Sequence, residues 1–132
     1  MSPMQRVFTG APWEAKVGYC RAVRRGPLVF VSGTAPVGDD GRTYAPGDAY
    51  RQAARCLEVA LAALAKLGGA PQDVVRTRLF VTDIQQWEAY GRAHAERFAV
   101  FPPATTMVEV AALIAPDMLV EVELDAVLSS ID

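Results

Sequence analysis

The apolar residues of the chain recur with two periods, and each period predicts one kind of secondary structure. In residues 119–127 apolar and acidic residues alternate with a period of two, which predicts a strand with one buried face. Residues 28–34, LVFVSGT, are rich in β-branched and aromatic side chains and predict a buried strand. Residues 18–23 predict its hairpin partner, with the turn at residues 25–27. Further strands are predicted over residues 74–83 and 105–111.

Two helices are predicted between these strands. Asp48 is placed as the N-cap of the first helix, and Gly68 and Gly69 supply its stop. The apolar stripe of this helix consists of Ala53, Leu57, Ala60, Leu64 and Leu67. The second helix is expected to begin after Asp83, with Gln86 completing a capping box, and to end before Pro102. Its expected stripe consists of Ile84, Trp87, Gly91, His94 and Phe98.

The predicted order β-β-α-β-α-β-β makes an α+β fold, a two-layer sandwich with two helices on one face of a single mixed sheet. The face toward the helices is expected to carry Val75, Thr77, Leu79, Val81, Val120, Val122, Leu124 and Ala126. The opposite face is expected to carry Arg76, Arg78, Phe80, Met107, Glu109, Glu121, Glu123 and Asp125. Because Phe80 and Met107 would be exposed there, this face is expected to be covered by other subunits.

Length and composition fit a single domain of 132 residues, with residues 1–16 as an N-terminal extension or edge segment. The apolar content of 52% is enough to bury a core. A net charge of -2 without a basic block disfavours binding to nucleic acid. The sequence has no signal-peptide pattern and no apolar run of membrane-spanning length, so a cytoplasmic protein without membrane contact is expected.

Few residues suit metal or redox chemistry. The chain has one histidine and two cysteines, Cys20 and Cys56, which are too few for a zinc site or a disulfide framework. Cys56 lies in an apolar helical pattern and is expected to be buried in the core. The histidine, His94, is expected to be packed and hydrogen-bonded rather than catalytic. Trp13 and Trp87 are expected to be packing residues rather than platforms for a ligand.

The acidic residues of the last strand allow two interpretations. They form a solvated face paired with Arg76 and Arg78 on a neighbouring strand, or one of them holds a water molecule as a general base. The sequence pattern alone leaves both interpretations open.

Three segments together resemble the RidA/YjgF family, also called L-PSP endoribonuclease-like proteins. They are GYCRAVRRGPLVFVSGTAPV, DVVRTRLFVTDIQQWEAY and FPPATTMVEVAALIAPDMLVEVELDAV, in the order found in the family. The resemblance covers roughly residues 19–127. It implies a chorismate-mutase-like α+β fold, a homotrimer with clefts between subunits, and no cofactor or metal. The best-known activity of the family is hydrolysis of 2-imino or enamine acids to 2-keto acids with release of ammonia, and some members were described as ribonucleases.

The resemblance also implies a set of site residues, some retained and some replaced. Retained are the aromatic residue Tyr19, the glycine of the first strand motif, Gly33, and the water-positioning carboxylate Glu121. The arginine that grips the substrate carboxylate in active deaminases is replaced by Thr105, which has no charge. Its neighbours are Thr106 and Met107, in place of a serine and a residue that is often cysteine, and Gly91 replaces an asparagine.

Without the arginine, the cleft is expected to lose its carboxylate clamp and to favour a less charged ligand. Arg21 or Arg92 is a candidate to supply a substitute charge. Three functions follow from these residues. They are a hydrolase of imine or enamine type with altered specificity, weak or inactive on standard 2-imino acids; a non-catalytic trimer that binds a small ligand; and, least favoured, an endoribonuclease.

Overall fold

The computed structural model describes residues 3–129 and places them in one mixed sheet with helices against it. Within this range the strands are β1 (Gln5–Val7), β2 (Ala22–Arg25), β3 (Leu28–Thr34), β4 (Val74–Val81), β5 (Ala104–Glu109) and β6 (Val120–Val127), and the helices are α1 (Pro12–Val17), α2 (Ala49–Lys66) and α3 (Trp87–Phe98). The strand order is β1-β2-β3-β6-β4-β5, and β4 and β5 pair in parallel while the other neighbours are antiparallel. This confirms the predicted α+β fold, to which the structure adds β1 and α1.

Helix α2 forms as its sequence predicts and builds most of the helix-to-sheet core. The Asp48 side chain accepts a hydrogen bond from the backbone N–H of Arg51 at 2.9 Å, and Gly68 leaves the helix with a φ of +92°. The stripe of alanines and leucines is buried, and so is Cys56, as predicted. Small side chains let α2 lie close to β3 and β6, so burial of this stripe is what holds the two layers together.

Strand β6 also alternates as predicted. Val120, Val122 and Leu124 are fully buried beneath the helices, whereas the three acidic residues lie on the opposite face, which we call the outer face of the sheet. There Arg78 Nη1 lies 3.1 Å from a carboxylate oxygen of Glu123 and 3.4 Å from one of Asp125. The predicted cross-strand pairing of charges is therefore confirmed for Arg78 with these two carboxylates.

The pairing of the strands corrects the predicted face of three side chains. A bulge in β4 between Val74 and Arg76 turns Val74 toward the core, so that Val75 is exposed rather than buried. In the parallel pair, Met107 lies beside Leu79 and packs at the margin of the core. By the same register Glu109 lies beside Val81, so both Met107 and Glu109 are on the helix side and not on the outer face.

Helix α3 begins one turn later than predicted. The Asp83 side chain caps a 3-10 turn, Ile84–Gln86, by accepting from the backbone N–H of Gln85 at 3.1 Å. A 3-10 turn advances by about 120° per residue rather than about 100°, so it changes which side chains of the following helix face inward. The buried residues are Tyr90, Ala93 and Phe98.

Neither tryptophan is buried in the core, although both are predicted as packing residues. Trp87, on the first turn of α3, is 56% exposed, and Trp13, on α1, is 48% exposed.

The outer face of the sheet carries exposed apolar side chains around the pair of Arg78 with its two carboxylates. Both long helices pack on the other face, so neither of them covers these exposed apolar side chains. Its exposed apolar members are Leu28, Phe30, Val108 and Val127. Among residues 3–129, no helix is both long enough and apolar enough to cross a membrane.

Candidate functional site

Glu121 and Gly33, both implied by the family resemblance, lie directly against each other. The register between β3 and β6 shifts between Val31 and Thr34, because β3 carries one extra residue there. This bulge brings the backbone of Gly33 under the Glu121 side chain. A Cβ built on Gly33 would overlap a carboxylate oxygen of Glu121, so the absence of a side chain at Gly33 leaves the room that the carboxylate occupies.

Arg21 and Tyr19 complete this cluster, which we call the Glu121 group (Tyr19, Arg21, Gly33 and Glu121). Helix α1 ends at Gly18 with a φ of +89°, and the N–H of Tyr19 donates to the carbonyl of Glu14 at 3.0 Å. The Arg21 guanidinium lies 5.5 Å from the centre of the Tyr19 ring. Arg21 is only 8% exposed, and its Nε has no hydrogen-bond partner among the described residues.

Burial dominates the electrostatics of Glu121. Loss of solvent around its half-buried carboxyl raises the pKa of Glu121, the nearby Arg21 guanidinium opposes this rise, and Glu123 adds to it. A carboxyl group with a raised pKa takes up and releases a proton closer to neutral pH than an exposed glutamate does. The Glu121 group therefore has the properties of a general base that can also return the proton.

A second cluster lies on the helix side of the edge strand β5. We call it the Thr105 group (Thr77, His94 and Thr105). The hydroxyl of Thr77, which is fully buried, donates to the Thr105 hydroxyl at 2.7 Å, and His94 Nε2 lies 2.7 Å from the same Thr77 oxygen. The His94 ring also contacts Phe98, with ring centres 4.7 Å apart. Burial lowers the pKa of His94, and these contacts confirm that the histidine is packed and hydrogen-bonded, as predicted.

The remaining candidate residues lie around or away from these groups. Gly91 lies one helical turn before His94, and a Cβ built there would meet nothing within 4 Å, so there is open space on this side of α3. Thr106 is exposed and points to the outer face with Arg78. The guanidinium of Arg92 lies 4.1 Å from the centre of the Tyr50 ring.

The two candidate substitutes for the missing arginine are thus in different places. Arg21 is buried beside Glu121, whereas Arg92 lies over Tyr50, whose hydroxyl donates to Glu96 at 2.5 Å. Arg92 therefore belongs to neither group in the single chain.

One chain does not bring the Glu121 group and the Thr105 group together. Thr105 pairs with Thr77, and both side chains lie on the helix side of the sheet. Glu121 pairs with Phe80 and lies on the outer face, with β4 separating its strand from β5. Two shallow hollows of about 200 and 190 Å³ lie beside α2, and neither includes a residue of either group.

Thr77 is the member of the Thr105 group that the sequence pattern did not mark as a candidate site residue. Its position on an otherwise apolar strand face was the signal that could have identified it. A hydroxyl buried there needs a hydrogen-bond partner. The sequence does not reveal that the partners of Thr77 are His94 on a helix and Thr105 on the next strand.

Comparison with known proteins gives consistent matches over nearly the whole chain. The family model described as endoribonuclease L-PSP matches residues 9–128. Among curated proteins, the uncharacterised protein SCO2049 of Streptomyces coelicolor is 36% identical over 129 residues, covering 98% of this chain and 96% of that protein. The 3-aminoacrylate deaminase RutC of Acinetobacter baylyi is 32% identical over 104 residues, covering 79% of this chain and 82% of RutC.

Among solved structures, Rv2704 of Mycobacterium tuberculosis, a member of the YjgF/YER057c/UK114 family, superposes with a TM-score of 0.87. It has 45% sequence identity, and the match covers 96% of this chain and 100% of Rv2704. The sequence motifs, the fold and these matches agree, and the chain belongs to the RidA/YjgF family, described by its family model as endoribonuclease L-PSP.

Proposed function

We propose that this protein hydrolyses small imines or enamines, with a preference for substrates that lack the carboxylate of standard 2-imino acids. The observation that carries the proposal is the half-buried carboxylate of Glu121, which lies over Gly33 and beside Arg21. The similarity to a 3-aminoacrylate deaminase supports the reaction class, because the substrate named for that relative is an enamine.

Glu121 supplies the proton transfers that imine hydrolysis requires. As the water oxygen bonds to the imine carbon, the carboxylate takes one proton from the water and passes it to the imine nitrogen, which gives a carbinolamine and restores the carboxylate. The carboxylate then takes the hydroxyl proton of the carbinolamine and passes it to the amino nitrogen as the carbon–nitrogen bond breaks, which leaves a carbonyl compound and ammonia. The nearby positive charge of Arg21 favours the charged form of Glu121, and the raised pKa of Glu121 makes its carboxylate a stronger base toward water.

The Thr105 end of the site supports the altered specificity. A threonine hydroxyl offers one hydrogen-bond donor and no charge, whereas an arginine offers a charged, two-pronged donor to a carboxylate. Each charge-assisted hydrogen bond contributes about 1.5–3 kcal/mol, so its loss weakens binding of a 2-imino acid more than binding of a neutral imine.

We also propose that the active assembly is a homotrimer in which neighbouring chains bring the two groups together. The exposed apolar side chains of the outer face support a subunit interface there. Light scattering is expected to give about three times the chain mass of 14.2 kDa. A monomer mass at micromolar concentration would contradict the assembly.

The test of the activity uses imines generated in situ. A flavin amine oxidase supplies simple neutral imines from primary amines, and an amino-acid oxidase supplies 2-imino acids. The expected result is faster release of ammonia from neutral imines in the presence of the protein, and loss of this acceleration in Glu121→Gln. Equal rates with and without the protein on every imine would reject the activity.

A second candidate function is non-catalytic binding of a small ligand in the same cleft. The neutral Thr105 group favours this function, because it offers hydrogen bonds to a ligand but no charged side chain that could take part in catalysis. An endoribonuclease is less well supported, because the one histidine of the chain is bound to a buried threonine and the net charge is -2.

A further inference from the structure

The hydrogen bonds of the Thr105 group form a continuous path from a half-buried imidazole to an exposed hydroxyl. His94 Nε2 and the Thr105 hydroxyl both lie 2.7 Å from the hydroxyl oxygen of Thr77, which is fully buried. The path crosses three elements, since His94 is on α3, Thr77 on β4 and Thr105 on β5. It ends at the position where the family resemblance places the substrate anchor.

The number of protons in this path determines what Thr105 can do. Thr77 has one hydroxyl proton and cannot donate it in two directions. When Thr77 donates to Thr105, the Thr77 oxygen accepts from an N–H at His94 Nε2, and the Thr105 proton is free to point outward. When Thr77 instead donates to His94, Thr105 must donate to Thr77 and has only lone pairs to present to a ligand.

We propose that His94, acting through Thr77, orients the Thr105 hydroxyl as an outward hydrogen-bond donor that selects ligands with a neutral acceptor oxygen, such as an amide carbonyl. This inference rests on the proposed function for the placement of the ligand, and it adds two positioning residues, His94 and Thr77. A neutral donor bound to a neutral acceptor avoids burial of an unpaired carboxylate, which would be costly at this uncharged end of the site.

The protonation of His94 is consistent with this arrangement. Burial lowers the pKa of His94, so the imidazole is neutral at neutral pH and carries one proton. With that proton on Nε2, every hydroxyl of the path both accepts and donates. Protonation in acid adds a proton at Nδ1 and leaves the Nε2–H in place, so the direction of the path does not change.

The single histidine of the chain makes the test unambiguous, because an imidazole ¹⁵N spectrum contains the signals of one residue. The parent protein at neutral pH is expected to show the neutral tautomer with its proton on Nε2. Thr77→Val removes the hydroxyl at nearly constant volume and is expected to shift the Nε2 signal, whereas Thr77→Ser restores it. Thr106→Val is the matched control, because it makes the same substitution on β5, next to Thr105 but on the opposite face of the sheet. A proton on Nδ1 in the parent would overturn the proposal.

The ligand class is tested with pyruvamide and pyruvate, which differ in one polar group, and the same imidazole signals report their binding. The parent is expected to bind pyruvamide about three- to tenfold more tightly than pyruvate, the size of one neutral hydrogen bond. Thr77→Val is expected to lose this preference, and Thr77→Ser to regain it. The proposal is overturned by a parent that prefers pyruvate, treats both alike or binds neither, and by a Thr77→Val variant that keeps the preference.

Loss of thermal stability in Thr77→Val without a change in ligand preference would also overturn the proposal, because it would leave the path a purely structural link between α3 and β5. None of these measurements requires turnover. A protein that hydrolyses no imine yet passes them would refute the proposed function and retain the inference about His94 and Thr77.

Discussion

The Glu121 group and the Thr105 group differ in chemistry although both belong to the candidate site. The Glu121 group is charged and half-buried. It is built around a bulge at Gly33, where a side chain would overlap the Glu121 carboxylate. The Thr105 group is neutral and lies on an edge strand, where its hydroxyls are linked to His94. The difference supports our proposal that proton transfer resides at the first group and choice of ligand at the second. Changes in the first should therefore affect turnover of every substrate, and changes in the second should affect the choice between substrates.

The largest expected effect is that of removing the carboxylate. Glu121→Gln keeps the size of the side chain and removes the base, so kcat on neutral imines should fall by about 10²–10⁴-fold. The matched control is Glu123→Gln, one pleat further along β6, where the side chain pairs with Arg78. Steady-state kinetics on both variants check the prediction. Equal rates for Glu121→Gln and the parent would remove Glu121 from the mechanism.

The next effect concerns the choice of substrate. Thr105→Arg restores the charged donor expected in active deaminases and should raise kcat/KM for 2-imino acids by about 10–150-fold, equivalent to one charge-assisted hydrogen bond. Neutral imines should not benefit. Thr105→Gln serves as the control, because it adds length without charge. A similar gain with glutamine would show that side-chain length rather than charge limits binding.

A smaller effect is expected from the residue beneath Glu121. Gly33→Ala should lower kcat/KM by about ten- to a hundredfold because the new Cβ displaces the carboxylate. Its midpoint of thermal unfolding should change little, since the flexible Glu121 side chain can move aside. In the Glu121→Gln background the same substitution should have no further effect on turnover. Additive losses in the double variant would mean that Gly33 acts independently of Glu121.

The smallest expected effect is on the pH dependence of stability. The folded pKa of Glu121 is raised above its usual 4.5, so the protonated form is favoured in the folded state. Its contribution to stability is full below pH 4.5 and is lost as the pH rises through the folded pKa. Denaturant unfolding should therefore show Glu121→Gln gaining stability relative to the parent as the pH rises from 4 to 8. A constant difference across this range would contradict the raised pKa.

The sequence pattern predicts most of the fold because burial is periodic in long elements. Asp48, the stripe of α2 and the alternation of β6 all follow from local rules of capping and period. The three-residue strand β1 is too short for such a signal. The face of Met107 depends on its parallel pairing with Leu79, which is a tertiary contact that no local count contains.

The site was predictable to a different extent at its two ends. The resemblance identifies Gly33 and Glu121, but the bulge that presses them together appears only when β3 is paired with β6. At the other end the resemblance identifies Thr105 as a lost arginine. In place of the arginine charge, Thr105 has a hydrogen bond to Thr77, which in turn is hydrogen-bonded to His94. These three residues lie on separate elements, so no periodic pattern in the sequence predicts the bonds between them.

The most direct test of the central claim mixes two variants that are each inactive. Glu121→Gln removes the base, and Thr105→Trp blocks the other end of the site. If each cleft takes its Glu121 group from one chain and its Thr105 group from the next, trimers refolded from an equal mixture should recover about a quarter of the parental activity on neutral imines, from random pairing across the interface. No recovery, with both variants folded and trimeric, would contradict a site shared between chains.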